Sequence, residues 1–360
     1  MSLLPEPRED LRALEGYHSP QLDVDVRLNT NESPFPPPPA FVDAWTDALR
    51  AAPLHRYPDR AASALRDAIG AHLGQPGERI FAANGSNEVL QTLLLTYGGP
   101  GRRALVFEPT YALHSHICRI TGTEVVEGER DTDFRISPTE AGSLIAAERP
   151  AVVFVCSPNN PTGTVEARAT LDAIVGAALD HGPALVVVDE AYGEFADRSA
   201  LDLVADDLPV VVVRTYSKVW SLAALRLGFA VGPSRIVVEL DKVVLPYHLS
   251  VATQTAGLAA LAFGDAMQER VTTLVAERRR LEHALALLPG LTVFPSGANF
   301  VLFRTAGDGH ALWQGLVDHG VLVRDFSRWP RLDDCLRITV GTPDENDRCV
   351  AALRAVLEGR

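Results

Sequence analysis

Five short runs are almost wholly apolar and rich in β-branched residues: 80–83 (IFAA), 104–107 (ALVF), 151–155 (AVVFV), 185–188 (LVVV) and 210–213 (VVVV). Stretches of helical character separate them, from about residue 40 to residue 235. A strand with no polar face has to be buried on both sides, and a mostly parallel sheet covered by helices on both faces does this. The expected fold is therefore α/β. In such a sheet ligands bind outside the carboxyl ends of the strands. All five runs end in polar clusters: 84–87 (NGSN), 108–111 (EPTY), 157–160 (SPNN), 189–192 (DEAY) and 215–218 (TYSK). These endings mark the candidate site.

At 360 residues the chain exceeds one ordinary core, so a second domain is expected. A long helical pattern at about 250–288 is followed by strand-like runs at 299–303 (NFVLF), 321–323 (VLV) and 336–340 (LRITV), with helices between them. That layout reads as a smaller α+β domain. The start of the chain is irregular, and FPPPP (35–39) reads as extended, polyproline-like chain. The expected division is an N-terminal arm at 1–39, a large domain at 40–249 and a small C-terminal domain at 250–360.

Composition removes several classes of function. Hydrophobic residues at 47% and charged residues at 22% are those of a soluble folded chain. No apolar run is long enough to span a bilayer and the first residues lack a signal pattern, so a cytoplasmic protein without a membrane partner is expected. A net charge of −13 disfavours nucleic acid. Cys118, Cys156, Cys335 and Cys349 form no CxxC pair, which argues against a zinc ribbon or a disulfide framework and for a reducing compartment. The loop at 98–101 (GGPG) is not a GxGxxG fingerprint. His114 and His116 do not share a helix face well and read as structural polar residues, with no metal site expected. Cys156 reads as a small buried apolar residue.

Only two lysines are present, Lys218 and Lys242. Arginine replaces lysine readily on a surface but not as an amine nucleophile, which draws attention to Lys218. Thr215, Ser217 and Arg226 flank it, and two hydroxyls with a guanidinium suit a phosphate. Gly85, Ser86 and Asn87 open a helix whose free N–H groups favour an anion, although Ser86 acting as a simple N-cap would explain the same residues. Asp189 ends an apolar strand, where a carboxylate is costly unless a cation such as a protonated pyridine nitrogen answers it; capping the next turn is the plainer role. Tyr192 lies within reach of the same ligand. Asn160 stands between two prolines, either in a tight turn or as a rigid amide facing a ligand oxygen.

SPNNPTG (157–163), DEAY (189–192) and TYSK followed by LRLGF (225–229) resemble the fold-type I aminotransferases, in that order and spacing. LNTNESPFPPPP (28–39), RYPD (56–59), EPTY (108–111), LPYHLS (245–250), VLVRDFS (321–327) and CLRITVGT (335–342) narrow the resemblance to the histidinol-phosphate aminotransferase family, over essentially the whole chain. Aromatic aminotransferases and threonine-phosphate decarboxylase share much of this frame. Ala224 and His18 stand where glycine is common in similar sequences.

The resemblance implies pyridoxal 5′-phosphate (PLP) held by Lys218 as a Schiff base, with Lys218, Asp189 and Tyr192 catalytic. Gly85, Ser86, Asn87, Thr215, Ser217 and Arg226 would bind the cofactor phosphate side, Tyr111 would stack on the ring, and Tyr192 and Asn160 would hold its phenolic oxygen. Tyr57 would reach the neighbouring subunit's site, which implies a homodimer with shared sites. The implied reaction moves an amino group between L-histidinol phosphate and 2-oxoglutarate. The alternatives are an aromatic amino-acid aminotransferase, a PLP-dependent decarboxylase of a phosphorylated amino acid, or a catalytically silent regulator. Tyr17, Asn31, Tyr57, Asn160, Arg324 and Arg337 form the expected substrate set. Arg324 and Arg337 each follow or interrupt an apolar strand, where an arginine is expensive without an anion. An internal carboxylate, Asp325 or Asp333, would answer them as well as a substrate would.

Overall fold

A computed structural model describes residues 4–12, 14, 16 and 20–359. Among the described residues, twelve strands form two sheets. In chain order they are β1 (Val26–Leu28), β2 (Ile80–Ala83), β3 (Arg103–Glu108), β4 (Glu124–Glu129), β5 (Val152–Cys156), β6 (Leu185–Asp189), β7 (Val210–Thr215), β8 (Gly228–Val231), β9 (Leu291–Val293), β10 (Phe300–Thr305), β11 (Val321–Asp325) and β12 (Cys335–Thr339).

The larger sheet has the order β2-β8-β7-β6-β5-β3-β4. Only β8 runs against the others, pairing antiparallel with both β7 and β2. Successive side chains on each central strand go to opposite faces. Val153 and Val155 of β5, Val186 and Val188 of β6, and Val210 and Val212 of β7 enter one core with helices Ser63–Leu73, Pro138–Glu148, Arg168–Asp180 and Val251–Leu261. Val152 and Phe154, Leu185 and Val187, and Val211 and Val213 enter another with helices Gly85–Tyr97, Leu113–Thr121 and Ser234–Val243. Each fully buried Val or Leu contributes about 1.5–3 kcal/mol, and the strands collect it on both faces.

The smaller sheet has the order β1-β11-β12-β10-β9. Here one face alone is lined by helices. Val321 and Val323 of β11 and Leu336 and Ile338 of β12 pack with Leu281, Leu312, Leu316 and Leu353. The alternate residues Arg324 and Arg337 therefore point the other way, toward the larger sheet.

Four strands were not apparent in the sequence. β1 and β9 are three residues long, β8 follows the lysine loop closely, and β4 is an exposed edge strand bearing glutamates. β1 joins the smaller sheet in parallel with β11, so the expected irregular arm supplies a strand to the C-terminal half. The long helical pattern at 250–288 is two helices, Val251–Leu261 and Gly264–Ala286, broken at Ala262 and Phe263. Apolar periodicity continues through the break, which is why the pattern read as one.

Candidate active site

The strand ends open onto a cleft of about 390 Å³ between the two sheets. Ser86, Asn87, Tyr111, Asn160, Asp189, Tyr192, Thr215, Ser217, Lys218 and Arg226 line it from the larger sheet, Asn31 from the N-terminal segment, and Arg324 and Arg337 from the smaller sheet. Thirteen expected residues thus meet in one place.

Along the cleft wall, Thr215 Oγ1 donates to Ser217 Oγ (3.0 Å), and Arg226 Nη1 donates to Ser217 Oγ (3.3 Å). The helix Gly85–Tyr97 starts beside them with no side-chain cap. Its N-cap residue is Asn84, not Ser86, and the Asn84 amide donates instead to Glu88 Oε2 and His248 O, both at 2.8 Å. A cap usually contributes about 1 kcal/mol, and its omission leaves the first N–H groups for an anion. Gly85 has φ +78°, and a Cβ there would lie 2.5 Å from Arg226 Nη2. Only glycine lets the guanidinium come this close. Arg226 itself is left-handed (φ +50°), backbone strain of the kind held at functional sites. The donor set fits a phosphate.

Asp189, which also lines the cleft, is buried. Its Oδ2 lies 2.9 Å from His114 Nε2, and its Oδ1 accepts from the Ala191 N–H at 3.0 Å. His114 is stacked on Phe154 with centroids 4.8 Å apart and meets Tyr111 edge-on at 5.5 Å. Tyr111 Oη donates to Asn87 Oδ1 (3.2 Å), which holds the phenol ring in the cleft wall. Asp189 does cap the Ala191 turn, and it also presents a carboxylate to the cleft. The residues fit a phosphorylated pyridine: one cleft is lined by phosphate donors, a buried carboxylate and an amine.

Lys218 supplies that amine. Its Nζ donates to Thr30 O at 3.1 Å and lies 5.7 Å from the centre of the Tyr192 ring. Burial first, then the Arg337 and Arg226 charges, bring its pKa down from 10.5 to about 7, against the opposing pull of Glu32. Tyr192 Oη accepts from Asn31 Nδ2 at 2.9 Å and from Asn160 Nδ2 at 3.5 Å. Burial pushes its phenol up to about 12, so it stays protonated and able to donate.

Arg337 and Arg324 approach from the smaller sheet. Arg337 donates to Asn160 Oδ1 and to Asn29 O (2.9 Å), and its guanidinium lies over Phe300 (5.0 Å) and Phe326 (5.3 Å). Arg324 lies over Phe326 at 5.7 Å. Asp325 is engaged by His310 and Ser327, at 2.7 and 2.6 Å.

Tyr57 does not line this cleft. It is 79% exposed and stacked on Tyr247 with centroids 4.5 Å apart. Tyr17 and His18 lie outside the described residues. Sequence reasoning passed over Thr30, Glu32, Phe326 and Trp329, which also line the cleft, and took His114 as merely structural. For His114 the available signal was its place in the first turn of the helix that follows β3, three residues after Tyr111.

Comparison with known proteins agrees with this geometry. The profile of the family aminotransferase class I and II matches residues 24–353. A histidinol-phosphate aminotransferase of Frankia casuarinae is 46% identical, covering 98% of this chain and 90% of that protein. One of Nocardia farcinica is 47% identical over 96% of this chain and 90% of its own. The solved structure of histidinol-phosphate aminotransferase from Sinorhizobium meliloti in complex with pyridoxal 5′-phosphate superposes with a TM-score of 0.84 at 27% identity, covering 93% of this chain and 92% of that one. With the lysine, carboxylate and anion cradle assembled at the strand ends of this fold, the chain belongs to the aminotransferase class I and II family.

Proposed function

We propose that the protein is a PLP-dependent transaminase that moves an amino group between L-histidinol phosphate and 2-oxoglutarate, giving imidazole-acetol phosphate and glutamate in histidine biosynthesis. The observation that carries this reading is the pair Arg324 and Arg337 on one face of the smaller sheet, aimed into the cleft that holds Lys218. Two guanidiniums suit a donor with a dianionic phosphate and also the carboxylates of glutamate. The name shared by relatives at 46–47% identity over nearly the full chain supports the same substrate.

Bound PLP supplies a carrier for the amino group and a sink for the electrons of the substrate α-carbon. The Gly85 and Ser86 N–H groups, Thr215, Ser217 and Arg226 would bind its phosphate, and Tyr111, held by Asn87, would supply an aromatic face for the ring. Asp189, oriented by His114, would answer a protonated ring nitrogen. Tyr192, kept neutral, and Asn160 would donate to its phenolic oxygen. Lys218 would hold the cofactor through Nζ, and with an amine freed near neutral pH it would move the proton at the substrate α-carbon. Asn31 and Tyr17 would complete the substrate side, and the exposed Tyr57 of each subunit would serve the other's site in a homodimer. Four buried free cysteines support a reducing, cytoplasmic setting; among the described residues no helix is long and apolar enough to cross a membrane.

The test is an assay of purified protein with histidinol phosphate, histidinol, phenylalanine and threonine phosphate, each with and without 2-oxoglutarate. Histidinol phosphate as best donor, with strict dependence on 2-oxoglutarate, is expected. Preference for phenylalanine would make it an aromatic aminotransferase, and carbon dioxide released from threonine phosphate without an acceptor would make it a decarboxylase.

A further inference from the structure

The order of the larger sheet contains one reversal. From β3 the chain passes through helix Leu113–Thr121 to β4 on one side, then returns through helix Pro138–Glu148 to β5 on the other side of β3. The two helices lie on opposite faces, since Ile117 and Ala141 belong to different cores. Connections leaving in opposite directions open a crevice between the carboxyl ends of β3 and β5. The ladder shows it. β3 pairs with β4 along all six residues, but with β5 only at Ala104↔Val152 and Leu105↔Val153. Beyond that point the strands part, and their ends carry Thr110 and Tyr111 on one side and Asn159 and Asn160 on the other.

Parting strands leave backbone carbonyls unanswered in a buried place, which is costly. One side chain answers both. Arg130, the residue after β4, donates from Nε to Phe107 O of β3 (3.1 Å) and from Nη2 to Cys156 O of β5 (3.3 Å). Its Nη1 donates to Phe134 O (2.9 Å) and to the Glu166 carboxylate. Both charged side chains are at most 2% exposed. Glu166 is tied to the β5 loop, since its own N–H donates to Ser157 Oγ at 3.0 Å. A second tie nearer the cleft joins the same two loops: Thr110 Oγ1 donates to Asn159 Oδ1 (2.8 Å), and Asn159 Nδ2 donates to Pro109 O (2.9 Å).

A buried ion pair gains little stability over apolar side chains of the same volume, so its geometry is the informative feature. The planar guanidinium is a rigid spacer with donors on several edges. We propose that Arg130, held by Glu166, is a positioning residue of the active site: it sets the width of the crevice between β3 and β5, and with it the separation of Tyr111 from Asn160. Arg130 itself does not line the cleft. Tyr111 leans on His114 and thereby on Asp189, while Asn160 contacts Tyr192 and Arg337, so a change in that width is felt at both sides of the ring site. The inference rests on reading the cleft as the PLP site.

The experiment compares the unmutated protein with Arg130→Lys, Glu166→Gln and the double variant Arg130→Met/Glu166→Met. Lysine keeps the charge but has a single nitrogen and cannot span two carbonyls. The double variant leaves no lone buried charge and carries the same reading should Arg130→Lys fail to fold. Melting temperature of the cofactor-free protein, PLP dissociation constant by titration, the pH midpoint of the visible absorbance band, and kcat and KM are measured on each. Misplacement of a ring contact predicts PLP binding weakened and kcat lowered, each by about tenfold to a hundredfold, together with a shifted absorbance midpoint. KM for the amino donor should change less than kcat, because Arg324 and Arg337 sit on the other sheet and only Arg337 touches Asn160. A lowered melting temperature with PLP affinity, absorbance midpoint and kcat unchanged would show the pair to be structural only and overturn the proposal. An unmutated protein that binds no PLP at Lys218 would instead defeat the reading of the cleft, so the two failures are distinct.

Discussion

Arg324 of β11 and Arg337 of β12 stand directly opposite one another across an antiparallel pair, on the face turned to the cleft. Like charges in this register oppose one another, and an anion bound between them relieves the repulsion. Arg337→Ala is therefore expected to impair both half-reactions. Arg324→Ala and Tyr17→Phe should weaken the phosphorylated donor more than glutamate. Loss of one charge-assisted contact corresponds to about 1.5–3 kcal/mol, or roughly one to two orders of magnitude in kcat/KM. Steady-state kinetics on histidinol phosphate and glutamate decide it, and equal losses on both donors for Arg324→Ala would refute the assignment of the phosphate end.

With only Lys218 and Lys242 in the chain, the site of covalent cofactor attachment is easily located. Borohydride reduction of PLP-loaded protein followed by peptide mapping should place the pyridoxyl mass on the peptide carrying Ser217 and Lys218. A label on Lys242, which is ion-paired with Glu239 on an exposed helix, would contradict the site described above.

The lowered pKa of Lys218 carries a signed consequence for the cofactor-free protein. The unfolded chain holds this proton up to about pH 10.5, the folded chain only to about pH 7. Between these values the unfolded state binds more protons, so stability from this group rises with pH by at most about 1.4 kcal/mol per unit. Its cost is fully present below pH 7 and vanishes above pH 10.5. Lys218→Met should thus stabilise the cofactor-free fold, more at pH 7 than at pH 9.5, as read by denaturant unfolding. A gain equal at both pH values would mean that the amine is not desolvated.

Asp189→Asn keeps the shape and the Ala191 turn but removes the charge beside His114. PLP should still bind, while transamination falls by about 10²–10³-fold, because an unprotonated ring is a poor electron sink. Near-normal turnover would reduce Asp189 to the capping role.

Shared sites predict complementation. Lys218→Ala and Tyr57→Ala chains, each impaired alone, should regain activity when mixed, since one of the two sites in a mixed dimer is intact. A strictly monomeric active enzyme would end that reading.

Most of the site was legible in the sequence because its residues cluster at strand ends. Apolar runs announce parallel strands, and whatever follows them lands on one edge of the sheet. Lys218, Asp189, Asn160, Tyr111 and the Gly85 turn could be placed together for that reason. Which residues alternate onto the cleft face of β11 and β12 was also readable, since period two puts Arg324 and Arg337 opposite their apolar neighbours.

Tertiary structure alone decided the rest. β4 reads as an exposed polar stretch, so nothing in the sequence shows that Arg130 after it turns inward to meet Phe107, Cys156 and Glu166 across gaps of 23, 26 and 36 residues. His114 meets Asp189 from 75 residues away, and Thr30 reaches Lys218 from 188. Such pairings depend on strand order and on how far two strands part, and those follow from the packing of the whole chain. Local pattern determined which elements form and which residues end them; only the closed fold determined which of those ends face one another.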